Sequence, residues 1–123
     1  MAQYPYSGLP SKFGPIFKPI IPVQLRYAKT HKITLPTTAL IDSGADVCFC
    51  ADYIGIWLGI AINKIKKVHS FTAANGGQLL TKSTTVTLHV AGKKYDAAFH
   101  FCDTLPKQFP LILGQVGFFD NIE

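Results

Sequence analysis

ALIDSGADVCFC, residues Ala39–Cys50, is the most informative stretch of this chain. An apolar run typical of a β-strand ends at Asp42, and Ser43 and Gly44 follow before a second apolar run begins. Aspartate and glycine are poor strand formers, so the sequence predicts an acid held at a sharp turn inside a sheet. A carboxyl group in such a place is costly unless it is hydrogen-bonded or shares a proton with a partner. The stretch therefore indicates a catalytic acid, although Asp-Ser-Gly also occurs in ordinary turns.

A second motif lies near the C-terminus, where an apolar run, Leu111–Leu113, is closed by Gly114. Together with Asp42-Ser43-Gly44-Ala45 after an apolar strand, it resembles the retropepsins, the retroviral-type aspartic proteases. In that family such a run crosses behind the catalytic loop and leads into a short helix, which would fall at Val116–Phe119. The resemblance covers roughly residues 20–120 and makes Gly114 part of a strand that supports the active site.

The resemblance implies an aspartic endopeptidase that acts on a peptide or protein substrate as a homodimer, without a cofactor or a metal ion. Asp42 would be its catalytic residue, one from each chain, because two facing carboxyl groups hold one proton between them. Ser43 would supply a small hydroxyl to the active-site loop, Gly44 would allow close backbone approach, and Ala45 would leave room beside the acid. The competing interpretation is a non-catalytic barrel of the same fold that binds a peptide or a partner protein.

The stretch Ser70–Leu80 predicts a hairpin, because Asn75-Gly76 is a strong turn dipeptide. The resemblance implies that this hairpin is the flap that closes over substrate, with Asn75, Gly76 and Gly77 near the bound peptide. Glycines at these positions permit hinge-like motion and close backbone approach. A plain structural turn is the alternative.

Asp46 is expected, by the same resemblance, to hold the substrate backbone. In the family it often pairs with an arginine just after the C-terminal glycine, and here that position is Gln115. An amide can hydrogen-bond a carboxylate but cannot neutralise it. The pairing of Asp46 with residue 115 is therefore weaker, or another cation pairs with Asp46 instead. The alternative is that Asp46 is an ordinary acidic residue of the loop.

The rest of the chain reads as short strands without a strand–helix–strand rhythm. One helix is predicted at Ala51–Ile60. The fold class is mainly all-β, a small closed β-barrel of acid-protease type with a single lobe and one or two short helices. The predicted strands are Ile20–Tyr27, Thr37–Ile41, Val47–Cys50, Thr81–Val90, Tyr95–Cys102 and Leu111–Leu113.

Residues 1–19 contain four prolines and several aromatic residues, so they are predicted to be an N-terminal arm preceding the protease domain at 20–123. The arm packs on the barrel or on a second subunit, or it is a poorly ordered tail. Viral family members dimerise partly through a C-terminal strand, and residues 121–123 are too few for one. Either the chain is truncated there, or the dimer is built differently, with the arm as a candidate for part of the contact.

Composition excludes several other classes. The 123 residues fit one domain, and no apolar run is long enough to cross a membrane. The net charge of +5 comes from scattered lysines without interleaved aromatics, which argues against nucleic-acid binding. Three cysteines favour a reducing, cytoplasmic setting over a disulfide framework. A zinc site from Cys48, Cys50, His100 and Cys102 has unusual ligand spacing, and buried thiols are the better interpretation.

Overall fold

A computed structural model describes residues 6–9, 16–72, 76–116 and 118 of the chain. Within these residues there are nine strands, one α-helix and one 3-10 helix. The strands are β1 (Tyr6–Leu9), β2 (Ile16–Tyr27), β3 (Lys32–Ile33), β4 (Thr37–Ile41), β5 (Cys48–Ala51), β6 (His69–Thr72), β7 (Gln78–Val90), β8 (Lys93–Cys102) and β9 (Leu111–Leu113). The α-helix, α1, is Asp52–Trp57, and the 3-10 helix is Ile62–Lys64.

The sheet closes on itself through six of these strands. Their order is β2, β4, β9, β5, β8 and β7, and β7 pairs with β2 again. The remaining three strands extend the wall, since β1 and β3 pair with β2 and β6 pairs with β7. The prediction of a mainly β, closed barrel with few short helices is confirmed. No helix in the described ranges is long and apolar enough to cross a membrane.

Every second side chain of a strand points into the barrel, because successive side chains of a strand point to opposite faces of the sheet. The inward-facing residues of the two longest strands are almost completely buried: Ile21, Val23 and Leu25 on β2, and Val86, Leu88 and Val90 on β7. The inner face of β5 and β8 adds two thiols and two phenyl rings, Cys48, Cys50, Phe99 and Phe101. One continuous apolar core results.

Strand β2 begins at Ile16 rather than at the predicted Ile20. The prolines argued for irregular structure, but β1 pairs with this first part of β2 and places Tyr6 opposite Pro19. A proline is tolerated where a strand has an open side, since it lacks only the donor that would face that side. The division of the chain at residue 19 stays a prediction.

Helix α1 is shorter than predicted and ends near Trp57 instead of Ile60. Gly59 has a φ of +87°, and its N–H bonds to the carbonyl of Ile56 while the N–H of Ile60 reaches Gly55. A left-handed glycine with such bonds is a common helix stop. The helix predicted at Val116–Phe119 lies partly outside the described residues, and Val116 forms a parallel bridge with Val47.

Candidate active site

The loop between β4 and β5 is crossed by the chain that leaves β9. Strand β9 lies between β4 and β5, parallel to the first and antiparallel to the second. The N–H of Asp42 donates to the carbonyl of Leu113 at 3.0 Å, which carries the β4–β9 pairing one residue past β4. Beyond β9, the N–H of Gln115 donates to Ala45 O at 2.9 Å, and that of Val116 to Asp46 O at 3.0 Å. Backbone hydrogen bonds to the crossing chain therefore hold the loop at Asp42, Ala45 and Asp46.

Asp42 sits at the start of a tight turn. Its Oδ1 accepts the N–H of Gly44 at 3.0 Å, and its carbonyl accepts the N–H of Ala45 at 3.1 Å. The residue is half-buried, and a Cβ placed on Gly44 would lie 3.3 Å from the same Oδ1. The turn thus orients the carboxyl group and leaves its second oxygen without a donor among the described residues. Ala45 is half-buried, and its predicted role of leaving room beside the acid stays a prediction.

Gly114 is the point of closest approach between β9 and the loop. It is buried, and its N–H donates to the Sγ of Cys48 at 3.4 Å. A Cβ added there would lie 2.8 Å from Ala45 O and would overlap Val47 O. Only glycine lets the two backbones touch in this way. The structure therefore places Gly114 directly behind the loop that carries Asp42.

Gln115 does not pair with Asp46 through its side chain. Its Nε2 donates instead to the carbonyl of Ser43 at 2.7 Å, which links the end of β9 to the residue after Asp42. Asp46 is exposed, and within the described ranges its carboxylate has no hydrogen-bond or ion-pair partner. The amide thus supports the loop backbone, while Asp46 presents a negative charge at the surface beside it.

The predicted hairpin is present as β6 and β7, which pair from His69–Thr81 to Thr72–Gln78. Asn75 lies outside the described residues. Gly76 and Gly77 are exposed, and Gly76 has a φ of +85° with no atom within 4 Å of a Cβ placed on it. The turn thus has the geometry that glycine favours, and the role of the hairpin as a flap stays a prediction.

Four aromatic side chains on the outer face of the barrel wall were not predicted as a group. They are Phe49, His69, Phe71 and His100, here called the ring cluster. The register places Leu40, two residues before Asp42, opposite Ile112, which in turn is opposite Phe49, and Phe49 is opposite His100. Side chains at paired positions share a face, so one continuous row leads from the Asp42 side of the wall to the β6–β7 hairpin.

The same register separates the residues of the considered zinc site. Cys48 and Cys50 pair with Phe99 and Phe101, whereas His100 and Cys102 pair with Phe49 and Ala51. The two ligand pairs therefore project from opposite faces of the wall. In the part of the chain that is described, no three His, Cys, Asp or Glu side chains are grouped to hold a metal ion.

All three cysteines are buried thiols, as predicted, and none forms a disulfide. Burial, followed by the nearby Cys102 and Asp52, raises the pKa of the Cys50 thiol well above its usual value. A thiol with a raised pKa stays protonated and is a poor nucleophile. Cys50 is therefore a poor candidate for a catalytic nucleophile.

A groove of about 740 Å³ lies between α1 and the base of the hairpin. Exposed apolar side chains border it, including Ile56, Val68 and Leu80. None of its lining residues belongs to the loop 42–47. Asp42 and its loop therefore lie outside this groove.

Solved structures share this architecture. A retropepsin-like aspartic protease from Rickettsia conorii superposes with a TM-score of 0.62 at 16% identity, covering 98% of this chain and 91% of that one. The EIAV protease in complex with the inhibitor HBY-793 gives a TM-score of 0.50 at 22% identity, over 80% and 82% of the two chains. The retroviral protease-like domain of Ddi1 from Leishmania major gives 0.50 at 16% identity, over 77% and 71%.

Comparison of the sequence itself gave no further relative: no protein-family model matches it, and no curated protein does. The three structural neighbours all have less than 25% identity to this chain, so the likeness concerns the fold. The chain has the fold of the retropepsin-like aspartic proteases, as the two sequence motifs predicted.

Proposed function

We propose that this chain is one subunit of a homodimeric aspartic endopeptidase in which the two Asp42 residues form the catalytic dyad. The observation that carries the proposal is the turn at Asp42, where the acid is held by Gly44 and Leu113 at the crossing of β4 and β9. This turn stands in a fold shared with solved aspartic proteases. A single chain supplies one such turn, so the dyad requires a second copy.

In the proposed reaction, the two carboxyl groups share one proton because both cannot ionise easily at close range. The ionised group takes a proton from a water molecule, and the resulting hydroxide adds to the carbonyl carbon of the peptide bond. The protonated group donates its proton to the carbonyl oxygen. The proton taken from water then passes to the amide nitrogen, the C–N bond breaks, and a hydroxyl group of the diol intermediate returns its proton to the ionised carboxyl group, which restores the dyad with one shared proton. No redox step or cofactor is required.

Substrate binding is assigned to the surface around the dyad. Asp46 is an exposed residue of the loop 42–47, and its carboxylate can accept hydrogen bonds from the N–H groups of a peptide backbone. The β6–β7 hairpin covers the bound peptide from the other side, and Asn75, Gly76 and Gly77 are its proposed substrate-binding residues. Ser43 and Gln115 keep the loop in shape through the hydrogen bond between them.

A non-catalytic barrel that binds a peptide or a partner protein is the second candidate. Asp46 is exposed and has no cationic partner among the described residues, which favours this candidate. The expected arginine is replaced by Gln115, which bonds to Ser43 instead. Two measurements on the purified chain distinguish the candidates. The first is hydrolysis of a peptide library, and the second is sedimentation with and without a transition-state-like peptide inhibitor. Cleavage by a dimer supports the enzyme, and binding without cleavage supports the second candidate.

Activity per chain is expected to rise with protein concentration, because two chains are needed for each dyad. A peptide inhibitor that binds only the dimer is expected to shift the equilibrium toward it by mass action. Sedimentation velocity over a concentration series, run in parallel with initial rates, measures both effects. Activity that is independent of concentration in a strictly monomeric sample would contradict the dimer mechanism.

The N-terminal arm is the proposed source of part of the dimer contact. Deleting residues 1–17 removes β1 and the first two residues of β2, and it leaves the pairing of Ile20–Val23 with β4 in place. We expect a raised dimer dissociation constant with an unchanged circular dichroism spectrum. An unchanged dissociation constant would exclude the arm from the contact and leave the dyad mechanism standing.

Replacing Gly76 with valine is expected to lower turnover on the order of 10-fold to 100-fold, because a displaced hairpin misplaces the substrate. Gly92, in the turn between β7 and β8, is the matched control, since it also has a positive φ and open space around a Cβ. Both valine variants should lose about 1–2 kcal/mol of folding free energy from the left-handed backbone. Equal kinetics in the two variants would show that the hairpin turn is not a flap.

The proposal keeps residues 1–19 as the arm and residues 20–123 as the protease domain. Three buried, reduced thiols fit a reducing compartment, so a cytoplasmic location is proposed. Fractionation of cells that express the full chain tests the location directly.

A further inference from the structure

The ring cluster joins the β6–β7 hairpin to the barrel wall. His69 and Phe71 come from β6, the ring of His100 comes from β8 and that of Phe49 from β5. The His69 and His100 rings meet edge to face with centroids 4.9 Å apart, and Phe71 meets His100 at 5.0 Å and Phe49 at 5.4 Å. These edge-to-face contacts are favourable for neutral rings. His100 therefore contacts both aromatic residues of β6.

His100 is buried, with 7% of its surface exposed, and its Nδ1 is 2.9 Å from the Oγ1 of Thr81 on β7. A neutral imidazole and a hydroxyl satisfy each other in either tautomer. The Nε2 of His69 lies 3.5 Å from the hydroxyl of Ser83, one position further along the same face of β7. The two imidazoles thus occupy neighbouring places under the hairpin base, each beside a hydroxyl group.

The surroundings of His100 oppose a positive charge. Burial, followed by the neighbouring His69, lowers the pKa of His100 from 6.5 to about 4. On the face that His100 shares, β7 presents Thr81 and Ser83, and β5 presents Phe49. Strand alternation also places Lys94, Asp96 and Cys102 of β8 on this face. Within the described ranges, the titratable group whose ring contacts that of His100 is His69, which supplies no negative charge to stabilise an imidazolium.

We propose that neutral His100 is a positioning residue that seats the base of the β6–β7 hairpin on the barrel, and that its protonation beside His69 releases the hairpin. An imidazolium at this place must either remain buried next to a second histidine or become hydrated by separation of β6 from the wall. Separation is the less costly route, because a four-residue strand with one pairing partner opens more readily than the barrel. The inference goes beyond catalysis, since it concerns the hairpin whether or not the chain cleaves peptides.

The direction of the pH effect follows from the lowered pKa. The released hairpin exposes His100, whose pKa then returns toward its ordinary value of 6.5, so the released form binds more protons between about 4 and 6.5. The seated hairpin is therefore favoured above pH 6.5 and loses its advantage as the pH falls toward 4. Between pH 7 and pH 4.5 the seated-to-released ratio should fall by up to about 50-fold.

Hydrogen exchange of the wild-type chain, corrected for intrinsic rates, measures this ratio. We expect the protection of the amides in His69–Thr72 and their partners in 78–81 to fall by about 10-fold to 50-fold between pH 7 and pH 4.5. Throughout, their protection should stay below that of the barrel amides in β4 and β9. Protection of the hairpin that does not change with pH, or that equals the barrel value at both pH values, would overturn the proposal.

The double variant His100→Phe with Thr81→Val tests whether His100 causes the pH dependence of the hairpin's protection. It keeps an aromatic ring at position 100 and removes the imidazole and the Thr81 hydroxyl together, so no buried hydroxyl is left without a hydrogen-bond partner. We expect hairpin protection that no longer depends on pH. His89→Gln is the matched control, because burial also lowers the pKa of His89 on β7 but its ring lies outside the cluster, so the wild-type response should remain.

A direct titration needs no variant. Nuclear magnetic resonance of the imidazole carbons of the wild-type chain should show His100 titrating well below 6.5. Titration of His100 at its ordinary value, or a double variant that keeps the wild-type fall in protection, would show that this histidine does not control the hairpin.

Discussion

Replacing Asp42 with asparagine is expected to lower peptide hydrolysis by about 10⁴-fold or more while the barrel stays folded. The amide can neither take a proton from water nor donate an acidic proton to the substrate carbonyl, so both catalytic roles are lost at once. Its carbonyl oxygen can still accept the N–H of Gly44, which Asp42 Oδ1 accepts at 3.0 Å. The turn is therefore retained. Initial rates on a peptide substrate, together with thermal unfolding, measure the two expectations.

Asp103→Asn is the matched control, because it makes the same chemical change at an exposed acid in the loop after β8. Hydrolysis should be close to that of the wild type in this variant. A mixed dimer offers a second check: one Asp42→Asn chain should silence its wild-type partner, since each dyad draws one carboxyl group from each chain. Hydrolysis at the wild-type rate by the Asp42→Asn protein would refute the catalytic assignment.

The parts of the fold that could be predicted are those encoded by local sequence. Asp42-Ser43-Gly44 after an apolar strand and Leu111–Gly114 each carry their own signal, and β4 and β9 have the predicted bounds. The start of β2 could not be placed, because its first residues are ordered by pairing with β1 rather than by their own propensity. Prolines in this region suggested irregular structure, and an available partner strand outweighed them.

The ring cluster could not be predicted because it depends on register between strands distant in sequence. His100 stands one residue from Phe99 and Phe101, and a shift of one residue would move it into the core. Nothing local to His69 indicates that its ring meets that of His100. The hydrogen bond of Gln115 to Ser43 is of the same kind, since it follows from the crossing of two segments. Residue types suggest such contacts only after the pairing is known.

Gly114 should be the position where the smallest substitution costs the most stability. A Cβ at this residue meets the carbonyl oxygens of Ala45 and Val47. The first accepts the N–H of Gln115, and Val47 forms a parallel bridge with Val116, so both lie in backbone that is paired with the segment after β9. Neither oxygen can rotate away as a side chain would. Alanine must push the loop and β9 apart, which strains the hydrogen bonds that hold Asp42 in place. We expect Gly114→Ala to lower the free energy of unfolding by about 3 kcal/mol or more.

Denaturant unfolding of Gly114→Ala beside Gly92→Ala separates crowding from backbone strain. Gly92 has a φ of +76° and open space around a Cβ, so alanine there suffers strain without a clash and should cost about 1 kcal/mol. Gly114 is the reverse case, with a clash and no left-handed backbone. A domain of this size is stabilised by only about 5–15 kcal/mol, so the larger loss of stability in Gly114→Ala should be visible as a lower denaturant concentration at the unfolding midpoint. If Gly114→Ala were no less stable than Gly92→Ala, the close approach of the chain at Gly114 to the loop 42–47 would not be what requires glycine at this position.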